Sequence, residues 1–146
     1  MNRDTATLND MIEVLNDGRA FYQEAASHVK RPDLRNLFER MARTKQSIAE
    51  DLRTAVVADG AKPPEGGSFA GSLRKAYGEM RAALSTHKDY QYVAQLEEFE
   101  DRILRSFKDA VEKSDDVIVQ AIAHRYMLEV TRDHDEMSTL KHAAER

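Results

Sequence analysis

Residues that interrupt helices are sparse and clustered in this chain, and that distribution constrains the fold more than any other feature. The three prolines are Pro32, Pro63 and Pro64, and four of the six glycines lie between residues 60 and 71. Every residue after Pro64 is something other than proline. Because proline and glycine are the strongest local breaks in regular structure, this pattern predicts long helices separated by one irregular segment.

Apolar residues recur at three- and four-residue spacing in four long segments, which places them on one face of each predicted helix. The predicted helices run from about Thr7, as the N-cap, to His28; from Pro32 to Gly60; from near Asp89 onward; and from the break at residues 114–116 to the C-terminal region. Proline is favoured at the start of a helix and glycine just past its end, which supports the bounds of the second helix. A shorter amphipathic pattern covers residues 69–84.

Loop lengths predict how these helices are connected. A few residues join helices one and two, and again helices three and four, so each pair is expected to pack antiparallel. The connection between helices two and three has about thirty residues, enough to run back along a helix of about 39 Å. The sequence therefore predicts one all-α domain over residues 1–146: a ferritin-like four-helix bundle whose long crossover carries a short extra helix.

Composition excludes several classes of protein. No apolar run approaches the 18 or so residues of a transmembrane helix, so none is expected. The chain has no cysteine, which excludes disulfides and thiolate metal sites. A formal net charge of −4, with both signs interspersed, argues against a nucleic-acid-binding surface. The expected setting is the cytoplasm.

A candidate site emerges when the inward helix faces are compared with a ferritin-like di-metal centre. Such a centre takes one Glu from each of two helices and a Glu-x-x-His pair from each of the other two. Helix three fits with Glu100, and helix four fits in part, because His134 lies inward but Thr131 stands three residues before it. Helix two has Lys45 where the Glu would lie, and helix one has Leu15 there.

Lys45 is the informative departure, because an ammonium group at the bundle centre repels a divalent cation. We therefore hypothesise a buried polar cluster of Lys45, Glu100, His134 and Asp17, in which Lys45 replaces the charge of a metal. If Glu100 is paired in this way, Glu100→Gln is expected to destabilise the bundle. The alternative is that Lys45 and Glu100 lie at the bundle margin with buried stems and solvated charges.

A second hypothesis retains a metal. In it, a divalent ion such as iron, manganese or zinc binds to an atypical ligand set drawn from Glu100, His134, Asp17, Glu97 and Glu129. The first hypothesis expects no cofactor. Neither a glycine-rich phosphate loop nor a serine in a nucleophile context is present, so the sequence predicts no catalytic residue.

Several stretches of the chain resemble an uncharacterised bacterial family: TLNDMIEVLNDGRAFYQEAA in helix one, RTKQSIAEDL in helix two, GSFAGSLRKAY in the crossover, EFED in helix three and the HD pair in helix four. Its members are described as ferritin-like four-helix-bundle proteins with a domain of unknown function. The resemblance covers nearly the whole chain. It implies a ferritin-like fold and no established activity. The wider ferritin-like superfamily includes iron oxidases and storage proteins, whose metal ligands are missing here on helices one and two and partly on helix four.

The leading functional hypothesis is a non-enzymatic bundle that acts through protein–protein contact or homo-oligomerisation. A stress-related role follows only by analogy with relatives of the fold. A weaker hypothesis assigns residues 69–84, made locally basic by Arg74, Lys75, Arg81 and the nearby Lys88, to a membrane surface or partner helix. The alternative for that segment is that its apolar face covers one edge of the bundle.

Overall fold

The computed structural model describes residues 3–65 and 88–144 of the chain. Within these residues the regular structure is four α-helices and no strand: α1 (Thr5–His28), α2 (Pro32–Ala58), α3 (Lys88–Lys113) and α4 (Val117–Ala144). The predicted all-α four-helix bundle is thereby confirmed. The predicted short helix over residues 69–84 lies outside the described residues. No helix in the described ranges combines the length and the hydropathy that crossing a bilayer requires.

The N-cap of the first helix lies three residues earlier than predicted, at Asp4 and not at Thr7. The Asp4 carboxylate accepts hydrogen bonds from the Thr7 backbone N–H at 3.1 Å and from the Thr7 hydroxyl at 2.6 Å. Thr7 is a favoured cap residue type, but its hydroxyl here donates to the cap instead of accepting from the backbone. Hydrogen bonds from Thr7 and Ser114 lower the pKa of Asp4.

The bounds of α2 follow the sequence prediction. Pro32 occupies the first turn, where its missing N–H would have no intrahelical partner. Gly60 lies just past the C-terminus with φ of +79°, a left-handed conformation that glycine adopts without strain. Its backbone N–H donates to the carbonyl of Val57 at 2.9 Å.

The start of α1 is attached to the turn between α3 and α4. The guanidinium of Arg3 lies 2.8 Å from the Asp116 carboxylate, and that carboxylate also accepts from the backbone N–H of Asp4 at 2.8 Å. The Ser114 hydroxyl donates to Asp4 at 2.7 Å. The beginning of α1, the end of α3 and the beginning of α4 therefore share one end of the bundle.

The opposite end is defined by Asp89 in the first turn of α3. Its carboxylate accepts from the backbone N–H groups of Lys30 and Arg31 at 3.1 and 3.3 Å, in the turn between α1 and α2. Helices α1 and α3 are therefore antiparallel, and α2 runs parallel to α3. The chain between Ala58 and Lys88 joins opposite ends of the bundle, as the predicted long crossover requires.

The buried apolar residues form two cores, one toward each end. The first core, where α1 begins, contains Leu8, Met11, Ile12, Leu15, Ile48, Ala49, Leu52, Val56, Ile103, Phe107, Ala110, Val119, Ala123 and Val130. The second core, where α1 ends, contains Phe21, Tyr22, Ala25, Ala26, Val29, Leu34, Phe38, Met41, Ala42, Tyr92, Val93, Leu96, Phe99 and Met137. Between the two cores every helix contributes buried polar residues: Asn16 and Asp17, Lys45, Glu100 and Asp133.

Gly18 lies beside this polar level, where α1 approaches α3 closely. A Cβ atom at this position would lie 2.9 Å from Cδ1 of Ile103. An alanine here would therefore require the end of the Ile103 side chain to move.

A candidate buried polar site

Lys45 is buried at the centre of the bundle, between α3 and α4. Its Nζ lies 2.6 Å from Oε1 and 3.0 Å from Oε2 of Glu100, and 2.7 Å from Oδ2 of Asp133. The side chains of Lys45, Glu100 and Asp133 are only 3%, 1% and 8% exposed. These values contradict the alternative in which Lys45 and Glu100 reach solvent from the bundle margin.

Tyr22 brings the remaining helix, α1, into the same site. The Lys45 Nζ lies 5.2 Å from the centroid of the Tyr22 ring, which is within the range of a cation–π interaction. The Tyr22 side chain is fully buried, and its hydroxyl interacts with Glu100. We call the set of four side chains, one from each helix, the central cluster: Tyr22, Lys45, Glu100 and Asp133.

The central cluster holds two carboxyl groups and one ammonium group, so full ionisation leaves a buried net negative charge. Burial raises the pKa of Glu100 to about 7, against the opposing effect of the Lys45 charge, and the negative charge of Asp133 adds to the rise. Burial and the charges of Glu100 and Asp133 also raise the pKa of Tyr22 well above its usual range. The Tyr22 hydroxyl therefore keeps its proton and can act as a hydrogen-bond donor.

Two buried polar atoms of the cluster lack a well-aligned hydrogen-bond partner in the part of the chain that the structure describes. They are the Tyr22 hydroxyl and Oε1 of Glu100. The 2.6 Å contact between this oxygen and Lys45 is an ion-pair distance without the angle of a hydrogen bond. Because one atom is a donor and the other an acceptor, each is the natural partner of the other.

The structure places His134 beside the central cluster, on the side of α4 where it contacts two other carboxylates. Its Nε2 lies 2.5 Å from Asp101 and its Nδ1 lies 3.1 Å from Asp135. Burial alone would lower the pKa of His134, but the hydrogen bonds to Asp135 and Asp101 outweigh it and raise the pKa. The residue of α4 that reaches Lys45 is its neighbour, Asp133.

The other candidate residues are dispersed. Asp17 is buried on α1, whereas the ion pairs of Lys45 described above are with the carboxylates of α3 and α4. Glu97 lies at the half-buried edge of α3, 3.8 Å from Lys141, and burial together with a hydrogen bond to Asp101 raises its pKa. Glu129 is exposed.

The residues present do not fit a di-metal centre. Over residues 3–65 and 88–144, the histidine and carboxylate side chains form no group of three or more placed to bind a metal ion. At the centre of the bundle, the contacts that an ion would make with Glu100 and Asp133 are made by the Lys45 ammonium. The five proposed ligands are thus not brought together, and we derive no chemical step through a metal.

Comparisons with known proteins define a family and a fold. A family model described as "Domain of unknown function (DUF2383)" matches residues 4–113. The search of curated proteins finds no match. Among solved structures, the fold is similar to the crystal structure of a conserved hypothetical protein, rv2844, from Mycobacterium tuberculosis. That likeness has a TM-score of 0.73 and 12% sequence identity, and it covers 94% of this chain and 96% of the other.

Proposed function

The chain belongs to the family described as "Domain of unknown function (DUF2383)", and since that description names no activity, we propose its function from the site: a non-enzymatic helical bundle that acts through protein–protein contact or self-association. In its interior, Lys45 pairs with Glu100 and Asp133 at the position where ferritin-like metal proteins bind an ion. A cytoplasmic location and a stress-related role are part of this proposal.

The observation that carries the proposal is the position of the Lys45 ammonium. It contacts Glu100 and Asp133 at 2.6 to 3.0 Å in a buried environment, and its charge repels a divalent cation from the same point. Because the ammonium lies between the two carboxyl groups, it occupies the position where a metal would coordinate a substrate. This favours a role on the surface of the bundle over chemistry inside it.

Exposed apolar side chains at one end of the bundle support the contact role. Val117 and Ile118, in the first turn of α4, are 73% and 50% exposed, and Val57, near the end of α2, is 59% exposed. The start of α4 and the end of α2 lie at the same end as the start of α1. We take a second copy of the chain as the partner to test first.

The ammonium replacement can be tested with Lys45→Ala, which leaves two buried carboxylates facing the space of the lost side chain. We expect manganous or zinc ions to raise the thermal unfolding midpoint of this variant, because an ion bound by the folded state alone stabilises it. The wild type and the exposed-site control Lys108→Ala are expected to show no such increase. Stoichiometric metal in wild-type protein, purified without chelators or a metal-binding tag, would instead favour the metal-binding hypothesis.

Self-association can be tested with the double variant Val117→Asp and Ile118→Asp. Acidic residues in the first turn interact favourably with the helix dipole, so the helix is expected to remain folded. We expect sedimentation equilibrium to show association in the wild type and its loss in the variant. A wild type that is monomeric at every concentration would exclude self-association and direct the search to a different protein partner.

A further inference from the structure

The central cluster contains more acidic groups than its cation can neutralise. Two carboxyl groups lie within 3.0 Å of one ammonium group, and all three side chains are almost completely buried. An uncompensated charge in such a place is strongly unfavourable. One additional proton makes the cluster electrically neutral.

The geometry indicates where this proton binds. Glu100 is the less exposed of the two carboxyl groups, and its Oε1 is one of the two cluster atoms without an aligned hydrogen bond. A proton on Glu100 leaves Lys45 paired with Asp133 as a balanced ion pair. The pKa of about 7 that burial gives Glu100 is consistent with this assignment.

We propose that the central cluster is a proton-linked switch: the bundle is most stable with one proton bound at Glu100, and it loosens when that proton is lost. Every helix contributes a side chain to the cluster, so a change of charge at Glu100 acts on the packing of all four. The proposal goes beyond the contact function above, and neither depends on the other.

The charged and titratable groups around Glu100 come from each neighbouring helix. Tyr22 faces it from α1, Lys45 from α2, and Asp133 from α4, while His134 acts on it from the edge of α4. Asp17 is a further buried carboxyl group of α1. Of these, Lys45 and His134 favour the ionised form of Glu100, whereas Asp133 disfavours it.

The direction of the pH effect follows from proton linkage. Burial raises the pKa of Glu100 from 4.5 to about 7, so the folded state holds more protons than the unfolded state between these values. The free energy of unfolding therefore falls as the pH rises through this window. A difference of this size corresponds to a change in the folding equilibrium constant of roughly a few hundred-fold at most.

Urea unfolding of the wild type and of Glu100→Gln, measured from pH 4 to pH 9, tests the proposal. We expect the wild type to lose stability between about pH 4.5 and 7 and Glu100→Gln to lose less, by about the effect of one proton. Glu112→Gln, an exposed substitution on the same helix, is the matched control and should retain the wild-type dependence. His134 and Glu97 also have raised pKa values and act in the same direction, so the difference between the two profiles isolates Glu100.

A carbon-13 NMR titration of the glutamate carboxyl groups in the wild type is the second measurement, and it does not require the variant to fold. The side-chain carboxyl signal of Glu100, assigned through its bonds to the backbone, is expected to titrate near pH 7. The proposal is wrong if the Glu100 signal titrates near its ordinary value of 4.5, or if Glu100→Gln retains the full pH dependence of the wild type.

Discussion

Removal of the Lys45 ammonium leaves the carboxyl groups of Glu100 and Asp133 buried together without a cation. Lys45→Met preserves the length of the side chain and removes its charge. We expect it to lower the free energy of unfolding at pH 8 by about 3–5 kcal/mol, because it leaves buried carboxylates without a compensating positive charge. The measurement is urea denaturation followed by circular dichroism. The deficit should shrink at pH 5, where a proton on Glu100 can neutralise one of the two carboxyl groups.

Lys108→Met on the exposed side of α3 is the matched control for this prediction. A change at a solvated lysine is expected to alter stability by less than about 0.5 kcal/mol. Equal effects of the two substitutions on the free energy of unfolding would show that the ion pairs of Lys45 do not stabilise the fold.

Glu100→Gln is now expected to behave differently from the sequence-based prediction. The sequence suggested that this substitution destabilises the bundle, on the assumption of a simple pair between Lys45 and Glu100. With Asp133 as a second carboxylate on the same ammonium, the glutamine variant retains a balanced pair of Lys45 and Asp133. Its stability at pH 8 should therefore equal or exceed that of the wild type.

The sequence predicted two of the cluster residues that bear charge and misplaced the third. Lys45 and Glu100 were identifiable because charged residues at inward positions are conspicuous. On α4, Asp133 and His134 lie three and four residues after Val130, and four and three before Met137. Both positions belong to the same apolar stripe, so periodicity alone could not tell which side chain points inward. Tyr22 was interpreted only as a core residue, because nothing in its spacing signals a neighbouring ammonium.

At the scale of the helix, the ends of α1 and α4 depend on one aspartate. Asp116 accepts from the backbone N–H groups of Ile118 and Val119 at 3.0 and 3.4 Å, as an N-cap does, and it also binds Arg3 and Asp4. Hydrogen bonds from the Asp4 backbone and the Arg3 side chain hold the pKa of Asp116 below its usual value.

Asp116→Ala is therefore expected to lower the thermal unfolding midpoint more than loss of a helix cap alone would. It also releases the start of α1 from the turn between α3 and α4, so amide hydrogen exchange over the first turn of α1 should accelerate. The adjacent, exposed Asp115 offers a control of the same residue type, and Asp115→Ala should leave both observables near the wild-type values. Unchanged exchange at the start of α1 in Asp116→Ala would contradict the attachment.

Helix positions could be predicted well from this sequence, and helix caps less well. Pro32 and Gly60 have backbone requirements that few positions satisfy, so they marked the ends of α2. The start of α1 was less certain because Asp4 and Thr7 are both favoured cap residues at three-residue spacing. Which of the two accepts from the backbone depends on contacts with Ser114 and Asp116, more than a hundred residues away in the chain.

At the scale of the whole molecule, the connectivity was predictable because short loops enforce antiparallel neighbours and a long connection permits a crossover. The division of the interior into two cores was not predicted. It depends on the polar residues of all four helices lying at one level, which requires knowing how far each helix is displaced along its neighbours. That displacement is set by loop geometry and packing, which apolar spacing within one helix does not reveal.

The two-core arrangement predicts strong non-additivity among substitutions in the central cluster. The triple variant Lys45→Met, Glu100→Leu and Asp133→Leu joins the two cores through an apolar layer. We expect its free energy of unfolding to match or exceed that of the wild type, although Lys45→Met alone is strongly destabilising. Urea denaturation of the single and triple variants measures this difference. If the triple variant lost as much free energy of unfolding as the three single variants together, the site would be shown to tolerate only polar side chains.

The level at which the charges lie also fixes the alignment of the helices. A helix that slid by one turn along its neighbours, about 5.4 Å, would carry its ionised side chain out of reach of the others and into hydrocarbon. Apolar contacts between leucines and alanines can form at several displacements of one helix along another, with little cost in free energy. The ion pair between Lys45 and Glu100, whose charged atoms are 2.6 Å apart, can form at only one. The lysine at the centre thus fixes the axial register of the four helices, which apolar packing alone would leave open.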